Sequence, residues 1–313
     1  MTPNTPLTFY LDWLVCAQFA GIVWAQERGL YEAAGLDVRL VPWHDDGRSV
    51  IEKVVSAASN GELCAGCVED NLIVTRCAHD GAVQAFGAML QDTPLVVMSR
   101  PSQRIRSVAD LRGKRVGMHP DGIRVLELVL ALDGISTDDL DLHEVGFDLD
   151  HLRQDRFDAL QGYMMTEPVQ LAGLGLSVDV TPVKHSRLKP YAQTYFSETT
   201  LLAQHHRKFT DFLTASSAGW VAACAQPDEA AAVVSRVMHG RAAPDDQRRT
   251  ETEQRQSLDR LIPLVVGDLP IAAIGSIEMR QWKLNLESYF ELDMINHRVD
   301  LTEVVCDLGR RSP

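Results

Sequence analysis

Thr8-Phe9-Tyr10-Leu11-Asp12-Trp13, then the run Ala20 to Tyr31, then Gly35-Leu36-Asp37-Val38-Arg39-Leu40, is the stretch whose reading decides the fold. Thr8 to Leu11 alternates and is rich in aromatic and β-branched side chains, which marks a strand. Ala20 to Tyr31 carries helical spacing and stops at a glycine-containing turn, after which Asp37 to Val41 reads as a second strand. Strand, helix and strand in that order make a crossover unit, and the strand ends of such units face a crevice. Asp12 and Trp13 stand where the first strand gives way to the helix, so both are candidates to touch a ligand.

A chain of 313 residues is long enough for two lobes, each with its own core, and 45% apolar with 23% charged residues is a globular composition. The net charge of -13 argues against a nucleic-acid partner, because neutralising phosphates needs a clustered basic surface. No stretch approaches the roughly 18 apolar residues of a membrane span. Met1 to Pro6 has neither the basic cluster nor the apolar run of a signal peptide, and six scattered cysteines fit a reducing compartment better than a disulfide framework. The expectation is therefore a cytoplasmic chain, with periplasmic or extracellular placement as the alternative if an export segment has been trimmed away.

Further along, Arg48 to Ser59 has helical spacing, Gly61 to Gly66 is a short apolar strand, and Asn71 to His79 is a second helix; Gln84 to Met89 and Pro94 to Ser99 read as strands. Ser107-Val108-Ala109-Asp110-Leu111-Arg112-Gly113-Lys114-Arg115-Val116-Gly117 opens a new unit as short helix, glycine stop and strand. Gly122 to Leu132 (helix), Leu142 to Val145 (strand), Asp148 to Arg153 (helix) and Arg156 to Tyr163 (strand) repeat the logic of the first half. Thr199-Thr200-Leu201-Leu202-Ala203 reads as the return strand, followed by a long helix, Arg207 to Cys224, a polar break at 240–246 and an amphipathic closing helix, Ser276 to Glu291.

Two of these segments resemble the solute-binding protein superfamily that serves nitrate, sulfonate, riboflavin and thiamine-pyrimidine uptake. Its entry segment reads D-W, a short loop, then a helix ending G-Y-[FY]-x-x-x-G-[LI]-D-V, and its second lobe begins S-x-x-D-L-x-G-K-x-[IV]-G. The fungal enzyme that makes the thiamine pyrimidine shares that fold. The resemblance implies an α/β, two-lobed fold of the periplasmic-binding-protein type (type II) with a cleft between the lobes: residues 1–95 as the first part of lobe 1, 96–196 as lobe 2, and 197–313 as the return to lobe 1 plus C-terminal helices. It also implies a small-molecule ligand and, in the transport branch, a permease of the ATP-driven (ABC) import type as partner. Leu14-Val15-Cys16 and Phe19 stand where relatives often carry proline, asparagine and histidine, which makes this wall less polar. In the enzyme branch a lysine holds pyridoxal phosphate and a histidine is consumed; Val68 or Glu69, and Asn71 or Leu72, stand at those positions here. The enzyme branch's cysteine-rich, iron-linked segment has no counterpart around Leu188 to Leu202.

Each candidate has a plain structural reading beside the functional one. Asp12-Trp13 could be a helix cap beside a core ring; the match to the family's ligand-contacting segment favours the ligand. Cys67-Val68-Glu69-Asp70-Asn71 enters a helix aimed at the cleft, and although one acidic residue suffices for capping, Glu69 and Asp70 are two. His119-Pro120-Asp121-Gly122 is a turn that needs no ligand, with His119 its cleft-facing candidate. Tyr163-Met164-Met165-Thr166-Glu167-Pro168 fits the superfamily's loop presented to the ligand, and Tyr195 is the candidate at the return crossing. Cys64, Cys67, Cys77 and His79 do not read as a zinc set, because a helix at ~1.5 Å rise per residue carries the last two well over 10 Å away. The expected site is Asp12, Trp13, Cys16, Cys67, Glu69, Asp70, His119, Tyr163, Glu167 and Tyr195, with no metal, cofactor or catalytic residue.

Asp12, Glu69, Asp70, Asp121 and Glu167 would repel an anion, so the expected ligand is a small, flat, neutral or amine-bearing heterocycle, thiamine-pyrimidine or riboflavin-like. A cytosolic enzyme on the same scaffold in cofactor-precursor metabolism and a ligand-sensing regulatory module are the alternatives. No G-x-S-x-G elbow, phosphate-binding glycine loop or His-Glu-x-x-His helix is present.

Overall fold

The computed structural model of the chain describes residues 3–239 and 244–309. The first four strands are β1 (Thr5–Tyr10), β2 (Leu36–Val41), β3 (Cys64–Val68) and β4 (Val83–Ala88). The next five, β5 (Leu95–Ser99), β6 (Arg115–Met118), β7 (Asp141–Glu144), β8 (Ala159–Tyr163) and β9 (Asp179–Pro182), build a separate sheet in the order β7-β6-β8-β5-β9. The last, β10 (Thr194–Glu198), returns to the first sheet, whose order is β2-β1-β3-β10-β4. The chain therefore leaves the first sheet between β4 and β5 and re-enters it between β9 and β10. This is the two-lobed α/β arrangement that the sequence implied.

Within each sheet the crossover strands run parallel, β2-β1-β3 in one and β7-β6-β8 in the other, and the strands nearest the crossings are antiparallel. Parallel strands joined by helices end on one edge, so the carboxyl ends of both triplets open toward the space between the lobes.

Two local expectations need correction. Thr199 to Ala203 is not the return strand but part of a helix, Thr199–Gln204, because the Glu198 side chain accepts the Leu201 N–H at 2.8 Å and caps it. Pairing with β3 and β4 passes instead to the preceding residues, which alternate Tyr195 and Ser197 with Thr194 and Phe196. The helix expected from Ala20 to Tyr31 is interrupted at Gly29, whose φ of 68° sits in the left-handed region that glycine enters at least cost, giving Ala20–Glu27 and Leu30–Ala33. In the polar break at 240–246, residues 240–243 lie outside the described residues, and a helix resumes at Pro244.

The core of the first lobe is aromatic: Phe9, Phe86, Phe209, Phe212, Tyr31 and Tyr195 are all buried, with ring centroids 5.0–6.4 Å apart. Helix Ala20–Glu27 crosses helix His206–Ala225 at two glycines. A Cβ on Gly219 would stand 2.1 Å from the Gly21 carbonyl oxygen, and one on Gly21 would stand 2.2 Å from the Trp220 ring. Backbone cannot yield as a side-chain tip can, so Gly219→Ala is expected to cost at least the ~1–3 kcal/mol of an overpacked core, read as a lowered thermal midpoint.

The C-terminal helix Met279–Glu291 fastens the crossing segment. Asp70 accepts from Asn285 Nδ2 (2.9 Å) and Tyr289 Oη (3.0 Å), and Asn285 also holds the Lys189 carbonyl at 2.8 Å.

Candidate functional site

Two chambers adjoin between the lobes. The first, of about 150 Å³, is lined by Asp12, Trp13, Gln18, Glu69, Tyr163 and Gln193, with Phe147, Thr166 and Glu167 on the side it shares with the second. Asp12 and Trp13 follow the carboxyl end of β1, Glu69 follows β3, and Gln193 precedes β10. Tyr163 ends β8 in the other lobe, and Glu167 opens helix Glu167–Gly173. Strand ends from both sheets thus converge on one space, as the crossover topology requires.

Contacts across the cleft close it. Tyr163 Oη donates to Glu69 Oε1 at 2.8 Å, and the Trp13 ring lies 5.0 Å from that of Phe147. Trp13 also stacks on Trp43 within its own lobe, at 5.4 Å and 20°. Lys184 pairs with Asp92, tying the two crossing segments together.

Asp12 is the electrostatic centre of the first chamber. Its Oδ2 accepts from Gln193 Nε2 at 2.9 Å, and its Oδ1 from Gln18 Nε2 at 3.4 Å. Burial, reinforced by the Glu69 charge and opposed by the Gln193 bond, pushes its carboxyl up to about 8. Gln193 is buried, its Oε1 has no partner, and its φ of 48° is an uncommon conformation for a residue with a side chain. Burial also raises the Glu167 carboxyl, against the pull of the Tyr163 N–H that donates to it at 2.6 Å.

The second chamber, of about 200 Å³, sits over the carboxyl ends of β6, β7 and β8 and is lined by His119, Phe147, Leu149, Leu160, Gln161 and Gln170, with Trp13 and Glu167 at its border. The His119 ring stands 4.1 Å from Phe147, edge on. A third space of about 50 Å³, beside Met165, Val169 and Gln254, takes in Cys16. Burial, with Asp12 and Glu167 nearby, holds the Cys16 thiol up at about 12.

Of the residues expected from sequence, Asp12, Trp13, Glu69, Tyr163 and Glu167 line the first chamber and His119 the second. Four others do not reach either. Tyr195 points to the face of the first sheet that packs on the long helix, among Phe9, Phe86 and Phe212. Asp70 turns toward the C-terminal helix and spends both oxygens on Asn285 and Tyr289. Cys67 is buried beneath Asp12, with Sγ 3.7 Å from its carboxylate, and Cys16 lines only the third space. The Asp121 side chain lies outside the described residues. Gln18, Phe147, Gln161 and Gln193 are the additions. Phe147, a lone aromatic in the loop after β7 that remains 61% exposed, was the one with a visible signal.

All six cysteines are free; Cys64 Sγ donates to the Val54 carbonyl and Cys77 Sγ to that of Glu303. Among the described residues no group of three or more His, Cys, Asp or Glu side chains is arranged to hold a metal ion, and no helix is long and apolar enough to cross a membrane.

Comparison with known proteins places this geometry. The chain is 24% identical over 302 residues to the riboflavin-binding protein RibY of Chloroflexus aurantiacus, covering 95% of this chain and 84% of that one. A putative thiamine biosynthesis protein of Haemophilus influenzae is 27% identical over 149 residues, 46% of this chain and 45% of its own. Among solved structures, the periplasmic aliphatic sulphonate binding protein SsuA of Escherichia coli superposes with a TM-score of 0.70 at 15% identity, covering 98% of this chain and 93% of that one, so the fold is shared. The family described as NMT1/THI5 like matches residues 16–230, and the chain belongs to that family.

Proposed function

We propose that the chain captures a small, flat, neutral or amine-bearing heterocycle in the first chamber, as the ligand-binding component of an ATP-driven import system whose permease is its partner. The observation that carries this reading is the chemistry of the wall. Asp12, Glu69 and Glu167 supply three carboxyl groups, and no Lys, Arg or His is among the described residues lining that space. An anion would enter without a cation to meet it, at a desolvation cost nothing there offsets. A ring bearing N–H groups would meet acceptors along its edge and Trp13 on its face. The relatives named for riboflavin binding and thiamine biosynthesis fit this class better than the sulphonate-binding fold neighbour does.

Catalysis through Cys16 is disfavoured by its surroundings, because a thiol held near 12 supplies almost no thiolate at neutral pH. Titration calorimetry with 4-aminopyrimidines, flavins and alkanesulfonates, with product analysis, tests the reading. Binding of an amino-heterocycle without turnover is expected, unaltered within about twofold in Cys16→Ser. Preferential sulfonate binding would overturn it.

A further inference from the structure

We infer that Lys53 is a positioning residue for the cleft: from outside it, Lys53 holds the loop of residues 42–49 so that Trp43 stacks on Trp13 and fixes the plane which that indole presents to a ligand. Its bearing on affinity rests on the ring reading proposed above; its bearing on the indole pair does not.

Helix Val50–Ser59 buries Val50, Ile51, Val54 and Ala57, and Lys53 is buried with them, only 5% exposed. Two effects oppose a cation there. Burial strips its water, and one turn from the Ser49 cap it stands near the positive end of the helix dipole. A buried ammonium persists where it is paired and hydrogen-bonded, and both of its partners lie in one loop. Nζ pairs with Asp46 Oδ1 at 2.9 Å and donates to the His44 carbonyl at 3.2 Å. The Lys53 bond, with Arg48 beside it, holds the Asp46 carboxyl well below its ordinary value, so it stays ionised wherever binding would be measured.

His44 directly follows Trp43. The Trp43 N–H donates to the Trp13 carbonyl at 3.1 Å, so Trp43 is tethered on both sides, to Trp13 at its own nitrogen and to Lys53 at the next carbonyl. Its half-buried ring stacks on Trp13 at 5.4 Å and 20°. Trp43 thus occupies one face of the indole, and a flat ligand can take only the other. Lys53, Asp46 and Trp43 line neither chamber, so each acts through Trp13.

The test reads the indole pair first without ligand. Stacked indoles couple their transitions and give paired bands of opposite sign in far-ultraviolet circular dichroism; the part that disappears in Trp43→Phe belongs to this pair. Lys53→Met, which keeps the aliphatic stem and removes the ammonium, should lose most of that part and weaken 4-aminopyrimidine binding about three- to tenfold. Arg48→Met removes the exposed partner of Asp46 but leaves the His44 carbonyl held, so both readouts should stay as in the wild type. Asp46→Ala, a change on the loop rather than in the core, should weaken the paired bands in the same direction, and it carries the test if Lys53→Met does not fold. A role confined to stability would lower the thermal midpoint of Lys53→Met with the paired bands and the affinity intact, and that result overturns the inference. A loss in Arg48→Met as large as in Lys53→Met overturns it too. Failure of the wild type to bind 4-aminopyrimidine removes the ring reading, and the paired bands then decide the role of Lys53 by themselves.

Discussion

Asp12→Asn is expected to weaken binding of an amine-bearing heterocycle by roughly tenfold to a hundredfold, the worth of a charge-assisted hydrogen bond in a buried setting. The pH dependence separates this from a packing defect. In the free protein burial and the Glu69 charge hold the Asp12 carboxyl at about 8, so at neutral pH it mostly keeps its proton. A ligand N–H donates to the ionised form, so binding must expel that proton. For a ligand whose own charge is constant over the range, affinity should rise as pH climbs toward about 8 and then level off. Calorimetry in two buffers of different ionisation enthalpy should show proton release in the wild type and none from this site in Asp12→Asn. Stability runs the other way. The folded carboxyl sits above its ordinary 3.8, so between about 4 and about 8 the native state binds more protons than the unfolded chain, and stability falls as pH rises through that window. Asp70, pushed up to about 7 by burial, and Glu167, also raised by burial, act in the same direction, so the substitution should shallow the slope without removing it. Full affinity and an unchanged pH profile in Asp12→Asn would remove Asp12 from the ligand's edge.

The parts of this site that could be read from sequence are those whose position follows from strand ends. Asp12, Trp13, Glu69, Tyr163 and Glu167 each stand within a few residues of the point where a strand stops, and period-two patterning locates such points well. Which face a residue takes after the stop is a different matter. Tyr195 and Gln193 are two residues apart at the same crossing. The left-handed backbone of Gln193 sends its amide to Asp12, whereas Tyr195, within β10, goes to the aromatic core. Aromatic composition pointed to the wrong one of the pair, since a tyrosine serves a hinge core as well as a ligand. Asp70 fails for a related reason: its partners, Asn285 and Tyr289, lie more than two hundred residues away, and nothing local announces a buried acceptor network. The return strand was displaced because Thr and Leu are compatible with both states, and a single capping bond from Glu198 settles the choice in favour of helix.

Trp13→Ala is expected to cost about 1–3 kcal/mol of binding free energy, roughly fivefold to a hundredfold in affinity, by removing the face on which a flat ring stacks. Two features make the readout specific. Trp13 is only half-buried, at the mouth rather than in the core, so the thermal midpoint of the unliganded protein should move little. Of the five tryptophans, Trp24, Trp220 and Trp282 are buried, leaving Trp13 and its stacking neighbour Trp43 to report on the cleft. Ligand-induced change in tryptophan fluorescence should therefore largely vanish in Trp13→Ala, while Trp13→Phe, which keeps a smaller aromatic face, should retain most of the affinity. Removing the ring also frees Phe147 from its contact at 5.0 Å, so Phe147→Ala is the necessary comparison. If the loss in Trp13→Ala came only from releasing that loop, Phe147→Ala would reproduce it in full for the bare 4-aminopyrimidine. If stacking on the indole is the cause, Phe147→Ala should cost the bare ring much less, and the two variants should part most clearly for ligands with the largest flat face.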